Sequence, residues 1–135
     1  MKIKVIDFGY DSLPFRAHPN DAGADIYSTK NIILGPHESQ KIPLGLGLVL
    51  PDGYAAFVFP RSGLASKGIT CELPPIDSGY RGEIHAIVTN NTSYKYTINA
   101  GDRIGQLVIT PVVIADFITD DIEERGANGF GSTGK

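Results

Sequence analysis

Tryptophan is absent from the 135 residues, and cysteine and methionine occur once each. The single Cys71 cannot form an intrachain disulfide, so stability must come from a packed core, and the chain suits a reducing, cytoplasmic compartment. No apolar run approaches the roughly 20 residues that cross a bilayer. The start, Met1-Lys2-Ile3-Lys4-Val5-Ile6-Asp7, lacks the apolar stretch of a secretory signal. A basic excess is also missing: 12 Lys and Arg stand against 15 Asp and Glu, a net of -3. Nucleic acids and anionic membranes both require a basic footprint, so neither is expected as a partner. A small polyanion remains open, because it needs only a local cluster of arginine and backbone N–H groups. No stretch carries a sustained apolar stripe of 3.6-residue period, so little helix is expected.

What is present reads as one ordinary globular domain, 41% hydrophobic and 20% charged. Strand-like alternation runs through most of it. Ile42, Leu44, Leu46, Leu48 and Leu50 share one side of a segment whose other side is Lys41, Pro43, Gly45, Gly47 and Val49; a period of two puts the leucines on a buried sheet face. Tyr54 to Phe59 is apolar on both sides, as in a strand covered twice. Ile84, Ala86 and Val88 alternate with Glu83, His85 and Ile87, and Tyr94, Tyr96 and Ile98 alternate with Lys95 and Thr97. Turn signals separate these runs at Pro51-Asp52-Gly53, Asp77-Ser78-Gly79 and Asn99-Ala100-Gly101-Asp102. Asn90-Asn91-Thr92-Ser93 holds glycosylation-like patterns but is expected to be a plain turn. Short strands at close spacing point to an all-β barrel or jelly-roll-like sandwich.

Three segments suit phosphate chemistry or catalysis, and each has an ordinary structural alternative. Pro60-Arg61-Ser62-Gly63-Leu64-Ala65 offers glycine, hydroxyl and guanidinium donors for phosphate oxygens, or is a strand-end turn. Asp77, among apolar and aromatic neighbours, is either a turn-capping residue or a reactive carboxylate. The glycine-rich end, Arg125 to Lys135, has Phe130 as its one large apolar residue. It is either a disordered tail or an arm that orders on a ligand. Gln106, an amide within an apolar run, is a satisfied buried group or has a polar task.

Together these segments resemble the five motifs of the homotrimeric dUTPases, in that family's order and across nearly the whole chain. Asp21 to Ser28 resembles the first motif, Pro60 to Ala65 the second, Ile76-Asp77-Ser78-Gly79-Tyr80-Arg81-Gly82-Glu83 the third, Gly101 to Leu107 the fourth, and Arg125 to Gly134 the last. The resemblance implies a jelly-roll-like β-barrel over residues 1–122 and a C-terminal arm over 123–135 that closes a site shared between subunits of a trimer. It implies hydrolysis of dUTP to dUMP and pyrophosphate with Mg²⁺, which limits uracil incorporation into DNA and supplies dUMP for thymidylate synthesis. By position, Asp77 is the general base. Arg61, Ser62 and Gly63 hold phosphate oxygens, Gln106 meets the α-phosphate or the attacking water, and Asp25 reaches the metal through water. Tyr80 packs beneath the deoxyribose, backbone groups of Leu73 to Ile76, including Pro75, read the uracil edge, and His85 sits near the nucleotide or is simply an exposed strand residue. Arg125, Gly131, Ser132 and Thr133 grip the outer phosphates while Phe130 stacks on uracil. The chain departs from the common family pattern at Pro74-Pro75, where a glycine is usual, and its hairpin is short; Gly79 replaces an acid and Asn128 a glycine. Three other readings carry less: a dCTP deaminase on the same fold, which lacks this arm; a regulatory binding protein; and a Cys71–His85 nucleophile.

Overall fold

Apolar residues at every second position can all leave water only if the strands that carry them close over one another. A computed structural model, which describes residues 1–72 and 74–122, shows how this is done. The strands are β1 (Lys4–Asp7), β2 (Ala24–Tyr27), β3 (Ile32–Leu34), β4 (Ser39–Pro43), β5 (Leu46–Val49), β6 (Tyr54–Phe59), β7 (Ile69–Glu72), β8 (His85–Asn90), β9 (Tyr96–Ile98) and β10 (Arg103–Pro111). A single helical turn, α1 (Ser62–Ala65), follows β6. Neighbours pair antiparallel as β1-β5, β2-β10-β6, β3-β9 and β4-β8-β7. The result is the all-β, jelly-roll-like architecture expected from the sequence. No helix among the described residues is long and apolar enough to cross a membrane.

The leucine run is buried as its period implies: Ile42, Leu44, Leu46, Leu48 and Leu50 join one core with Ile26, Leu34, Val58, Val88, Ile98 and Ile104. It is not one strand, however. The chain breaks between β4 and β5 at Gly45, whose φ of 76° is left-handed. A Cβ there would lie 2.7 Å from the Tyr10 amide nitrogen, and one at Gly47 would lie 2.7 Å from the Gly82 carbonyl. The glycine side of the run is therefore packed against other backbone rather than solvated.

Two further expectations shift. In β6, Ala55, Ala56 and Val58 are buried, but Phe59 is 40% exposed and stacks on Phe57 with ring centroids 5.9 Å apart. The chain itself thus does not supply the second cover at that end. Tyr94 lies outside β9 and is 80% exposed, because Asn90 folds the preceding segment into a turn. Asn90 is fully buried. Its Nδ2 lies 3.2, 3.1 and 2.7 Å from the carbonyls of Leu34, Gly35 and Tyr94, and its Oδ1 accepts from the Thr92 amide and hydroxyl. The glycosylation-like pattern is thus a structural clasp between the ends of β8 and β3.

Beyond the Val112 amide, which donates to the Gly53 carbonyl, apolar side chains stand in solvent: Val113, Ile114, Phe117, Ile118 and Ile122 are 79–97% exposed. The arm residues Arg125, Phe130, Gly131, Ser132 and Thr133, like Leu73, lie outside the described residues.

Removing the clasp leaves buried carbonyls and donors unmatched, so Asn90→Ala should cost about 3 kcal/mol in urea unfolding, whereas Asn91→Ala should stay within about 0.5 kcal/mol. A loss below about 1 kcal/mol for Asn90→Ala would contradict the assigned role.

Candidate active site

Residues of three of the five motif-like segments, the first, second and fourth, meet at one end of the β2-β10-β6 sheet. Asp25 is on the outward side of β2, between buried Ala24 and Ile26. It stands opposite Gln106 of β10, and Gln106 in turn stands opposite Phe59 of β6. Beyond Phe59 the chain turns at Pro60, so Arg61 emerges at the start of α1 with exposed Ser62 and Gly63 behind it. Asp25 is paired by Arg61 Nε at 3.6 Å on one carboxylate oxygen and by Arg103 Nη1 at 3.3 Å on the other. The Gln106 amide donates to the Pro60 carbonyl at 3.0 Å. Gly23 packs so tightly on that amide that any Cβ would overlap it. Two guanidinium groups thus share one carboxylate beside a cavity of about 300 Å³, lined by Arg61, Leu64, Tyr96, Ile98, Asp102, Arg103 and Ile104. Each guanidinium approaches Asp25 through only one of its nitrogens, so N–H donors remain on both for an anion. Arg103 carries no role in the sequence reading; its partner is 78 positions away, so nothing local marks it.

Asp77 belongs to a different cavity, of about 250 Å³, which Lys41, Pro74, Pro75, Ile76, Tyr80, Glu83 and His85 also line. Its position follows from a short backbone bridge. The Ile76 amide donates to the Ala56 carbonyl at 2.8 Å, and the Ala56 amide donates back at 3.1 Å. The chain then turns, the Tyr80 amide donating to the Asp77 carbonyl at 3.1 Å, and the Asp77 side chain is exposed at the tip. The Tyr80 hydroxyl donates to the Glu83 carbonyl at 2.9 Å. That fold-back needs Gly82, where a Cβ would lie 2.5 Å from the Tyr80 oxygen. Glu83 is structural: its Oε2 accepts from the Gly45 amide at 2.9 Å. His85 is exposed, with Nδ1 3.2 Å from the Glu83 carbonyl.

β6 measures the separation of the two cavities. Gln106 is level with Phe59, whereas the antiparallel bridge of Ile76 to Ala56 carries Asp77 toward Ala55. At about 3.3 Å per residue, Asp77 and Gln106 are roughly 13 Å apart along the strand, and Arg61 is farther still. Within one chain, then, Asp25, Arg61, Arg103 and Gln106 come together, and Asp77, Tyr80, His85, Pro75 and Ile76 come together elsewhere. The cysteine–histidine idea finds no support: the Cys71 thiol donates to the Ile104 carbonyl at 3.3 Å, in a different neighbourhood from His85.

Among the described residues no group of three or more His, Cys, Asp or Glu side chains could hold a metal. Asp25, with both oxygens already facing arginines, fits contact through water with an ion that keeps most of its own hydration, as Mg²⁺ does.

A family model described as dUTPase matches residues 10–134. A deoxyuridine 5'-triphosphate nucleotidohydrolase of Leifsonia xyli subsp. xyli is 49% identical over 129 residues, covering 90% of this chain and 85% of that protein. One from Ehrlichia canis is 45% identical over 144 residues, covering 98% and 94%. Among solved structures, a mutant Staphylococcus bacteriophage 80alpha dUTPase with dUpNHpp superposes with a TM-score of 0.88 at 27% identity, covering 98% of each chain. A mutant dUTPase from phage phi11 of S. aureus, in which a structural Mg(II) ion is coordinated, gives 0.85 at 27% identity, covering 92% of this chain and 99% of that one.

If the Asp25 cluster is kept for ligand rather than for stability, Asp25→Ala should cost no more than about 1 kcal/mol in urea unfolding, because its partners are partly exposed. A loss of several kcal/mol, similar to that expected of Asn90→Ala, would make the cluster a structural element.

Proposed function

This chain belongs to the dUTPase family and is a deoxyuridine 5'-triphosphate nucleotidohydrolase, and from that premise we propose that Asp77 is its general base and that each working site is built from more than one chain. The observation that carries the second statement is the separation along β6. A water positioned by both Asp77 and Gln106 cannot lie within reach of the two when they stand roughly 13 Å apart on one strand. A neighbouring copy placing its Asp77 cavity against the Asp25–Arg61–Arg103–Gln106 cluster resolves this, and a closed homotrimer satisfies it for every copy.

In the assembled site the cluster binds the triphosphate. Arg61 and Arg103 release part of their hold on Asp25 and pair with phosphate oxygens, with Ser62 and Gly63 contributing donors at the start of α1. Gln106 directs its amide at the α-phosphate or the attacking water. The other chain supplies the nucleoside cavity: Tyr80 lies under the deoxyribose, Pro75 and Ile76 face the base, and His85 closes the far side. Tyr80 is held by its hydroxyl bond to Glu83 and by contact with Gly82, so a ribose 2′-hydroxyl would meet a fixed ring. Asp77 orients a water and takes its proton as the oxygen attacks the α-phosphorus in line with the departing pyrophosphate. Asp77 suits the task because it is exposed and makes no ion pair among the described residues. Asp25 would hold a hydrated Mg²⁺ through water beside the triphosphate, and the ion would supply charge neutralisation there.

The arm residues Arg125, Gly131, Ser132 and Thr133 grip the outer phosphates and Phe130 stacks on the uracil, closing the site against water. The exposed run from Val113 to Ile122 is long enough to carry that arm to a neighbouring copy. The product dUMP feeds thymidylate synthesis, and removal of dUTP keeps uracil out of DNA, a role that places the enzyme in the cytoplasm.

Asp77→Asn should still bind dUTP but release pyrophosphate at least about 100-fold more slowly, as expected when a general base is lost. Turnover within a few-fold of the unmodified chain would remove Asp77 from the role.

A further inference from the structure

The recognition edge of uracil presents a carbonyl oxygen, an N–H and a second carbonyl oxygen. A protein that reads it must set two donors around one acceptor. Acceptors are plentiful in the Asp77 cavity, since Pro74 and Pro75 in its wall have carbonyls but no N–H. Donors are scarce. The Ile76 amide is committed to the Ala56 carbonyl, the Tyr80 amide to the Asp77 carbonyl and the Ile84 amide to the Leu46 carbonyl. The Tyr80 hydroxyl is committed to the Glu83 carbonyl. His85 Nδ1 faces that same carbonyl at 3.2 Å, and a proton there leaves Nε2 as an acceptor in the neutral ring. The backbone from His85 onward runs in the β4-β8-β7 ladders. Among the described lining residues, the Asp77 and Glu83 amides remain as backbone donors, and the Lys41 ammonium is the one side-chain donor that remains. Lys41 is exposed on β4, opposite Ile87 of β8, and makes no ion pair among the described residues.

We propose that Lys41 is a specificity-determining residue whose ammonium donates to the 4-carbonyl oxygen of uracil, providing a donor that the Pro74-Pro75 wall cannot. The inference rests on the reading that this cavity takes the nucleoside. A rotatable ammonium on a four-carbon stem can reach into the cavity from its rim. Cytosine carries an amino group at the same ring position, and there two donors would face each other. Lys41 therefore both favours dUTP and disfavours dCTP.

The test uses full-length Lys41→Met, Lys41→Arg and Tyr80→Ala, with dUMP affinity, steady-state kinetics on dUTP and dCTP, and inhibition by pyrophosphate. In Lys41→Met, dUMP binding should weaken and KM for dUTP rise by the same factor, roughly tenfold, the scale of one charge-assisted hydrogen bond. The dUTP-over-dCTP preference should fall with it, while kcat and pyrophosphate inhibition hold. Lys41→Arg, which keeps a donor, should retain dUMP affinity within about threefold. Unchanged dUMP affinity in Lys41→Met, alongside a loss in Tyr80→Ala, overturns the role of Lys41 alone. A loss confined to pyrophosphate inhibition puts the ammonium on phosphate and overturns it as well. If Tyr80→Ala binds dUMP as tightly as the unmodified chain, the cavity does not take the nucleoside, and the reading beneath the proposal fails instead.

Discussion

The reciprocal pair of backbone hydrogen bonds between Ala56 and Ile76 determines how this protein can work. It fixes the Asp77 turn to β6 at one level, while the register of β10 fixes Gln106 to the same strand at Phe59. A β-strand does not shorten, so neither loop motion nor side-chain rotation brings the two groups to one water molecule. The described side chains that the proposed reaction uses lie at two cavities. On the proposed reading, association between copies is part of the chemistry. The 40% exposed Phe59, beside the cluster, and the solvent-facing apolar run after β10 are surfaces that such association would cover.

Charge is distributed differently in the two cavities, and this matches what each must do. Asp25 is shared by two arginines, which holds both guanidinium groups in place before any ligand arrives and leaves N–H donors on each for phosphate. Asp77 makes no ion pair among the described residues, which suits the role proposed for it. Glu83, three residues beyond Tyr80, is occupied by the Gly45 amide. Its carboxylate secures the left-handed break between β4 and β5, and it serves the site only by holding the strands that line it.

Much of the fold was legible because burial on one face of a strand leaves a period of two, and the leucines from Ile42 to Leu50 record it plainly. The break inside that run was not legible: it depends on Tyr10 and Gly82 approaching from elsewhere in the chain, and glycine by itself does not say which backbone will lie against it. Asn90 read as a turn residue for the same reason, since its partners at Leu34 and Gly35 are more than 50 positions distant. Within the site, Asp77, Arg61 and Gln106 were marked by composition and by their order along the chain. Arg103 and Lys41 were not, because each acquires its setting only through strand pairing: Arg103 beside Asp25 of β2, Lys41 through the β4–β8 register. Legibility failed where a residue's partner was set by topology rather than by local chemistry.

The central claim is that the Asp77 cavity and the Arg61 cluster act on one substrate from different chains, and mixing two inactive variants tests it most directly. Arg61→Ala and Asp77→Asn each remove one half of the site. When the two are unfolded and reassembled together in equal amounts, each site draws its halves independently, so roughly a quarter of the sites should carry both intact halves and dUTP hydrolysis should recover to about that fraction. If the mixture stays as inactive as either variant alone, with the chains shown to have exchanged, both halves come from one chain and the account is wrong.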